Sequence, residues 1–231
     1  MIWPARCAAC ESDAGSDLCT ACEQELVELS TRPACPHCGR PGVAHACGWC
    51  GGKGDGPVKA VWRLGVYDAP LAHLVRRAKF DGRWELCRSL GERLAGVCEL
   101  GDDVVLVPVP LHAARRASRG YDQAALVAEA LGGRLKLPVV HALRRRRHTQ
   151  PQTSLQGSTA RSVNLRDAFA LHDAEAVEGR RVVLVDDVMT SGSTLRAAAR
   201  TLAPAKPAWV GAAVLAVATR EQEAKASALD E

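Results

Sequence analysis

The feature that most constrains the fold of this chain is a repeated cysteine spacing close to its N-terminus. Eight of the ten cysteines lie within the first 50 residues, arranged as four Cys-x2-Cys pairs. A Cys-x2-Cys turn directs two thiolates at one centre, and two such turns complete a tetrahedral four-cysteine zinc site. The spacing therefore predicts two structural zinc ions, with the ligands Cys7, Cys10, Cys19, Cys22, Cys35, Cys38, Cys47 and Cys50.

Disulfide bonds, a redox pair or an iron–sulfur cluster are the alternative uses of these cysteines. The N-terminus lacks the basic start and apolar core of a secretory signal, which disfavours an oxidising compartment and makes metal ligation the stronger interpretation. Two sequential sites are the simplest pairing of the ligands, and an interleaved pairing stays open. Each structural zinc contributes about 10–16 kcal/mol of coupled folding energy, enough to organise a segment with almost no apolar periodicity.

The character of the chain changes near residue 57. Residues 1–56 end in a glycine-rich stretch that is typical of a linker, and we expect them to form a small zinc-binding module. In residues 57–219, continuous Val/Leu runs alternate with helical patterns. This alternation predicts an α/β domain with a mostly parallel sheet flanked by helices. Residues 220–231 are polar and are expected to form a tail.

The same patterns give approximate bounds for the secondary structure. Strands are predicted at Val58–Tyr67, Val104–Val109, Pro138–Leu143, Arg166–Leu171, Arg181–Asp187 and Ala208–Ala218. Helices are predicted at Pro70–Phe80, Trp84–Glu99, Tyr121–Leu131 and Ser193–Leu202. The basic stretch before Tyr121 and the polar residues 144–165 are predicted to be loops.

Composition and charge narrow the class of protein further. A hydrophobic share of 47% with 24% charged residues excludes a disordered chain. The longest uncharged apolar stretch, Pro207–Thr219, is shorter than the about 20 residues of a membrane helix, so we expect a cytoplasmic protein without membrane insertion. Residues 111–148 carry nine Lys/Arg against two acidic residues. An anionic partner would bind there, and a solvated basic face is the alternative.

The most informative segment runs from Val183 to Leu195. Its apolar start predicts a buried strand that ends in Asp186 and Asp187, at the edge where open α/β sheets bind ligands. A loop rich in hydroxyl groups, Thr190–Thr194, then leads into a helix whose first N–H groups are available to an anion. Carboxylates beside a phosphate seat suit a sugar phosphate, because they accept hydrogen bonds from ring hydroxyls. An ordinary capped helix after a strand is the alternative.

This segment resembles the 5-phosphoribosyl 1-diphosphate (PRPP) loop of type I phosphoribosyltransferases. Further stretches are similar to the ComF family, namely Val107-Pro108-Val109-Pro110-Leu111-His112, Arg119-Gly120-Tyr121-Asp122-Gln123-Ala124 and the spaced residues Gln152, Leu155, Arg161, Asn164, Ala168 and Phe169. Tyr121 and Asp122 depart mildly from the family's Phe-Asn. The resemblance extends to about residue 218. It implies a double zinc ribbon in residues 1–56 and a type I phosphoribosyltransferase-like domain in residues 57–219, in a family linked to DNA uptake during competence.

The resemblance also implies roles for individual residues. Asp186 and Asp187 would hold the ribose hydroxyls of PRPP and act with Arg161 as the catalytic residues. The remaining PRPP-binding residues would be Val188, Met189, Thr190, Ser191, Gly192, Ser193 and Thr194. A pyrophosphate loop would contain Leu111, His112 and Arg115, and residues 144–163 would form a lid. Mg²⁺ is the expected cation, because it prefers phosphate oxygens and water to an all-protein cage.

Two functions of different class follow from these residues. In the first, the protein transfers phosphoribosyl from PRPP to an unidentified nitrogenous acceptor, for which the sequence identifies no general base. In the second, it is a non-catalytic PRPP sensor whose segment Arg144–His148 binds single-stranded DNA or a competence protein. Only nine aromatic residues occur in the chain and none lies between Tyr121 and Phe169. A strand-binding groove normally interleaves rings with positive charge, so this scarcity disfavours the second function.

Overall fold

The computed structural model describes residues 6–42, 47–52, 56–146 and 168–219, together with residue 222. The helices are α1 (Thr20–Thr31), α2 (Leu71–Phe80), α3 (Glu85–Ala95), α4 (Ala113–Arg119), α5 (Gln123–Leu135) and α6 (Ser193–Leu202). The strands are β1 (Val61–Val66), β2 (Val104–Pro108), β3 (Leu143–Arg145), β4 (Phe169–Leu171), β5 (Arg181–Met189) and β6 (Trp209–Val217).

Four of these strands form one parallel sheet in the order β1-β6-β5-β2. Val139 extends the β2 edge through a parallel bridge to Leu106, where the sequence predicts a short strand. β3 and β4 pair with each other as a separate antiparallel ribbon. The predicted α/β fold with a mostly parallel sheet is therefore confirmed.

Both faces of the sheet are covered, and the alternation along β5 divides its side chains between two apolar cores. Val183 and Val185 join the core built with α2, α3 and α5, whereas Val182 and Leu184 join the core built with α6. All four side chains are fully buried. A strand that is apolar on both faces is expected in the centre of a parallel sheet, and its carboxyl end is the place where its first polar residues emerge.

The main difference from expectation near the N-terminus is helix α1, which lies between the two halves of the cysteine-rich segment. Leu26 and Leu29 are one turn apart on α1, and both are 2% exposed. They enter the same core as Leu64 and Val66 of β1. The cysteine-rich segment thus shares its core with the sheet, because its own few apolar residues are buried against β1.

A second difference is helix α4, which occupies the stretch predicted to be a basic loop. The helix begins after His112, whose Nδ1 accepts a hydrogen bond of 3.2 Å from the Ala114 amide. It ends at Gly120, whose φ of +80° is favourable for glycine. Arg115 therefore lies on a short helix and not in a loop with Leu111, because His112 and Gly120 cap the two ends of that helix.

A third difference is the ribbon formed by β3 and β4. Arg144 and Arg145, predicted to begin a long loop, pair instead with Ala170 and Phe169. Arg161, most of the expected lid and nearly all of the expected tail lie outside the described residues. Among the described helices, none is both long enough and apolar enough to cross a membrane.

Candidate functional site

The eight N-terminal cysteines form two groups of four. The first tetrad contains Cys7, Cys10, Cys19 and Cys22, and the second contains Cys35, Cys38, Cys47 and Cys50. Within each tetrad the ligand atoms lie within 4.8 Å of one another, and the Sγ–Sγ distances of Cys10–Cys19, Cys35–Cys50 and Cys38–Cys47 are 3.5–3.6 Å. A tetrahedral zinc site with Zn–S bonds near 2.3 Å requires sulfur separations of about 3.8 Å. The geometry fits zinc and favours sequential pairing of the ligands over interleaved pairing.

Main-chain N–H groups in each tetrad favour the thiolate form that zinc requires. A hydrogen bond from the Cys22 amide is the largest factor that lowers the pKa of Cys19 to about 6. Burial opposes ionisation of Cys47, but hydrogen bonds from the Cys50 and Trp49 amides outweigh it and lower its pKa to about 6. Main-chain N–H groups thus favour one thiolate in each tetrad, although burial raises the pKa of Cys22 and Cys38 above its ordinary value.

The second cluster of functional side chains lies at the carboxyl end of β5. Asp186 and Asp187 are half-buried there, and each accepts a hydrogen bond from the next main-chain amide. The amide of Asp187 lies 2.9 Å from Asp186 Oδ1, and that of Val188 lies 2.6 Å from Asp187 Oδ1. These bonds fix both carboxylates at the sheet edge. Carboxylates held in this way can accept hydrogen bonds from the hydroxyl groups of a sugar.

A buried lysine accompanies this acidic pair. Lys79, near the end of α2, is 4% exposed, and its Nζ lies 3.1 Å from Asp187 Oδ2. An amine so far from water is stable as a cation only beside a negative partner. The pair therefore reduces the negative charge that the strand end presents to an anionic ligand.

The hydroxyl-rich loop, residues 190–194, follows β5 directly and leads into α6. Gly192 is buried with φ +76° and precedes the first residue of α6. The Ser191 hydroxyl donates to the Ser193 hydroxyl at 3.0 Å, and Arg196 donates to the Ser191 carbonyl at 3.0 Å. Hydroxyl groups and the N–H groups at the start of α6 are thereby gathered at one turn. This combination of donors is suited to a phosphate group.

Leu111, His112 and Arg115 follow the carboxyl end of β2, the neighbour of β5 in the sheet. The Leu111 amide donates to Asp122 Oδ2 at 3.1 Å, and the Ala125 amide donates to Asp122 Oδ1 at 3.3 Å. Asp122 thus caps α5 and holds the turn after β2. Asp122 therefore has a structural role, although it is one of the two residues at which the chain departs from the ComF pattern.

A cavity of about 450 Å³ lies beside this turn, between β2, α4, α5 and the β3–β4 ribbon. Its polar wall carries mostly basic side chains, from Arg116, His141, Arg144, Arg145 and His172, with Asp122 as an acidic neighbour. Arg144 and Arg145 belong to the basic segment predicted from the sequence, whereas Arg147 and His148 lie outside the described residues.

Comparison with known proteins places these features in a family. A double zinc ribbon model matches residues 1–53, and a phosphoribosyl transferase domain model matches residues 101–230. Competence protein F of Haemophilus influenzae is 33% identical over 211 residues, with 85% of this chain and 90% of that protein covered. The chain belongs to the ComF family. The DNA utilization protein YhgH of Escherichia coli is 32% identical over 198 residues, with 80% and 83% covered.

Solved structures also match this ComF-family chain. Glutamine PRPP amidotransferase from B. subtilis, complexed with ADP and GMP, aligns with 55% of this chain and 25% of its own. That alignment has a TM-score of 0.40 and 23% sequence identity.

The double zinc ribbon model covers all eight cysteines, and together with the geometry of the tetrads it supports the two structural zinc ions.

Two basic residues at this ComF-family site were missed by sequence reasoning. Lys79 had a detectable signal, because it lies four residues after Val75, on the buried face of α2 where an apolar side chain is expected. Arg40, two residues after Cys38 of the second tetrad, donates from Nη2 to the carbonyl of Thr190 in the hydroxyl-rich loop. Arg40 is 5% exposed and 150 positions from its acceptor, so no local pattern indicates the contact.

Proposed function

We propose that this protein binds PRPP at the carboxyl edge of its sheet and transfers the phosphoribosyl group to a nitrogenous acceptor. The observation that carries this proposal is the placement of the Asp186–Asp187 pair directly before the hydroxyl-rich loop at the start of α6. A sugar phosphate has hydroxyl groups at one end and a phosphate at the other. Along the chain, the site likewise offers first the hydrogen-bond acceptors Asp186 and Asp187 and then the hydrogen-bond donors of the hydroxyl-rich loop.

The family resemblance supplies the roles of the residues in this proposal. Asp186 and Asp187 accept hydrogen bonds from the ribose 2- and 3-hydroxyls, and residues 188–194 surround the 5-phosphate. The turn at Leu111 and His112, with Arg115 at the start of α4, faces the diphosphate. Arg161 is proposed to contact the leaving group, and it lies outside the described residues.

Transfer breaks the bond between C1 of the ribose and the diphosphate oxygen, and forms a bond between C1 and the acceptor nitrogen. The electron pair of the broken bond leaves with pyrophosphate, and the acceptor loses one proton. Positive charge develops on the sugar, so fixed carboxylates near the ring and cations near the departing oxygens both lower the barrier. Removing one such preorganised group costs about 3–4 kcal/mol of transition-state stabilisation.

Magnesium fits the donor set at this edge. Carboxylate and hydroxyl oxygens are ligands that Mg²⁺ prefers. Within the described ranges, the only groups of three or more clustered metal-ligating side chains are the two cysteine tetrads, so an Mg²⁺ ion near Asp186 and Asp187 would take further ligands from PRPP and water. When bound, the ion would neutralise charge on the diphosphate.

The relatives' names suggest the biological setting. Because the relatives are called a competence protein and a DNA utilization protein, we propose that this chain acts in the uptake or use of external DNA. The protein would then supply a phosphoribosylated product to that process, or would act in it only while PRPP is bound.

Calorimetric titration with PRPP and Mg²⁺ tests the binding step. The change Asp186→Asn with Asp187→Asn is expected to abolish binding while the zinc content stays at two ions per chain. Asp102→Asn with Asp103→Asn is the matched control, because this exposed Asp-Asp pair precedes β2 at the opposite edge of the sheet. Retained PRPP binding in the first variant would contradict the site assignment.

Release of pyrophosphate tests the transfer step. The wild-type protein is incubated with PRPP, Mg²⁺ and, in turn, nucleobases, amines and amides, and pyrophosphate is measured. Release that depends on one class of acceptor and is lost in the double Asn variant supports the reaction. Binding of PRPP without release in any mixture would overturn catalysis and leave a PRPP-binding protein.

A further inference from the structure

The second cysteine tetrad lies against the hydroxyl-rich loop, and Arg40 makes the contact. Arg40 follows Cys38 by two residues and donates from Nη2 to the carbonyl oxygen of Thr190, the first residue of the loop. Its guanidinium also lies over the ring of Trp49, 4.1 Å from the ring centroid. Trp49 stands between Cys47 and Cys50, so both Cys-x2-Cys turns of this tetrad help to place Arg40.

The second tetrad also packs on the strands next to the loop. The Val61 amide of β1 donates to the Pro36 carbonyl at 3.0 Å. At Gly39, φ is +68°, and a methyl group in place of the glycine hydrogen would lie 2.7 Å from Val61 Cγ1 and 3.4 Å from Val217 Cγ2. Val217 is paired with Met189, the last residue of β5. The segment of the second tetrad is therefore in close contact with the first residue of β1 and with the last residue of β6, the strand beside β5.

The first tetrad has a different neighbourhood. Glu11 pairs with Arg77 of α2, and Asp17 accepts hydrogen bonds from Ser89 and Arg93 of α3. These contacts join the first tetrad to the helices that cover one face of the sheet. The two zinc sites thus support different parts of the molecule, although their cysteine spacings are the same.

We propose that Arg40 is a positioning residue that fixes the hydroxyl-rich loop, so that PRPP binding depends on the second zinc site and not on the first. This inference rests on the proposed function. A hydrogen bond to the Thr190 carbonyl fixes the orientation of the peptide that opens the loop. The following N–H and hydroxyl groups are then held for the phosphate before it binds, which lowers the ordering cost of binding.

Thermodynamic linkage gives the proposal a reciprocal consequence. If zinc in the second tetrad strengthens PRPP binding, then bound PRPP must strengthen retention of that zinc ion by the same factor. At equilibrium, PRPP is therefore expected to raise the chelator concentration needed to remove one zinc ion per chain and to leave that for the other ion unchanged. A residue that only stabilised the fold as a whole would produce no such division between the two ions.

The central experiment compares Arg40→Met, Arg40→Lys and Arg93→Met in the full-length protein with zinc bound. Loss of a charged hydrogen bond predicts PRPP binding about ten- to a hundredfold weaker in Arg40→Met, with two zinc ions retained. Arg40→Lys keeps one charged donor and is expected to recover part of the affinity. Arg93→Met removes the ion pairs of α3 with Asp17 and Glu23, beside the first tetrad, and is expected to leave PRPP affinity unchanged.

Hydrogen exchange of the ligand-free protein tests positioning separately from PRPP binding. Amides 191–194 are expected to exchange faster in Arg40→Met than in the wild type, and to be unchanged in Arg93→Met. Unchanged exchange together with unchanged PRPP affinity in Arg40→Met would overturn the inference. If the wild type binds no PRPP, the proposed function fails, and the exchange data still decide whether Arg40 orders the loop.

Discussion

Lys79 Nζ and Asp187 Oδ2 lie 3.1 Å apart, and they join the end of α2 to the end of β5. Lys79 is 4% exposed, whereas the Asp187 side chain is 16% exposed. The carboxylate can therefore still be reached from solvent while its partner cannot. A ligand at the strand end could therefore contact Asp187 directly, whereas Lys79 would affect it only by reducing the negative charge of that carboxylate.

The change Lys79→Met removes that charge with little change in volume. At low Mg²⁺, the proposed PRPP binding is expected to weaken about tenfold, because the acidic pair repels the anionic PRPP more strongly, and higher Mg²⁺ should restore part of the loss. The free energy of unfolding should fall by about 2 kcal/mol as the charged hydrogen bond is lost. Calorimetric titrations at two Mg²⁺ concentrations and urea unfolding measure both effects.

Lys59→Met is the control for Lys79→Met, since Lys59 is an exposed lysine that precedes β1. It is expected to change neither PRPP affinity nor stability appreciably. An equal loss of affinity at low and high Mg²⁺ in Lys79→Met would contradict the electrostatic explanation and favour a general loss of structure.

The left-handed conformation at Gly192 predicts a second outcome. An added Cβ at φ +76° costs about 1–2 kcal/mol, so Gly192→Ala is expected to shift the hydroxyl-rich loop or to destabilise it. Gly179→Ala is the matched control, because Gly179 has φ +63° with open space around it and lies in the turn before β5. Both variants should lose similar stability in urea unfolding, and only Gly192→Ala should weaken PRPP binding. Equal PRPP affinities would show that the loop conformation is unimportant for the ligand.

Local sequence signals were sufficient to predict the strand–loop–helix segment and the two tetrads. Continuous burial of 182–185 follows from four apolar residues in succession, and α6 has the bounds predicted from its pattern. The sequential pairing of the cysteines was the simplest of the possibilities left open. These features depend on neighbours within about 15 positions, which is the range over which a sequence pattern is informative.

Contacts between distant segments could not be predicted in the same way. Arg40 and Thr190 are 150 positions apart, and the acceptor is a main-chain carbonyl, which every residue type has. Helix α1 also escaped prediction, because its buried face consists only of Leu26, Leu29 and Cys22, and the cysteine spacing assigns Cys22 to zinc. Helix α4 depends on caps at His112 and Gly120, whose combined effect is not readable from either residue alone.

The adjacent glycines of α5 predict opposite effects of the same substitution. A Cβ at Gly132 would lie 2.8 Å from both the Leu137 carbonyl oxygen and Val139 Cγ2, whereas nothing lies within 4 Å of one at Gly133. Gly132→Ala is expected to cost about 1–3 kcal/mol through overpacking. Gly133→Ala is expected to gain about 0.5–1 kcal/mol, because alanine loses less backbone entropy in a helix. Urea unfolding measures both, and a loss of stability in Gly133→Ala would contradict the packing described.

The network around Arg93 joins the first tetrad to α3. Arg93 Nη1 lies 3.2 Å from Asp17 Oδ2, and its Nη2 lies 2.8 Å from Glu23 Oε2. Burial raises the pKa of Asp17, but the hydrogen bond from Ser89 and the charge of Arg93 outweigh it, so that pKa is below its ordinary value. A carboxyl group whose pKa is lowered by folding stabilises the folded state whenever it is ionised.

A double-mutant cycle of Asp17→Asn and Arg93→Met measures this contact. Its coupling energy is expected to be about 0.5–3 kcal/mol at about pH 7. Since the folded-state pKa lies below the unfolded value of about 3.9, the coupling should stay constant from about pH 7.5 to about pH 5.5 and decrease only near about pH 4 and below. The Arg88–Glu129 pair is the control, because both side chains are about half exposed and their coupling should be near zero and sensitive to salt. A coupling at Asp17–Arg93 that declined already above about pH 5.5 would mean that the pKa of Asp17 is not lowered in the folded protein.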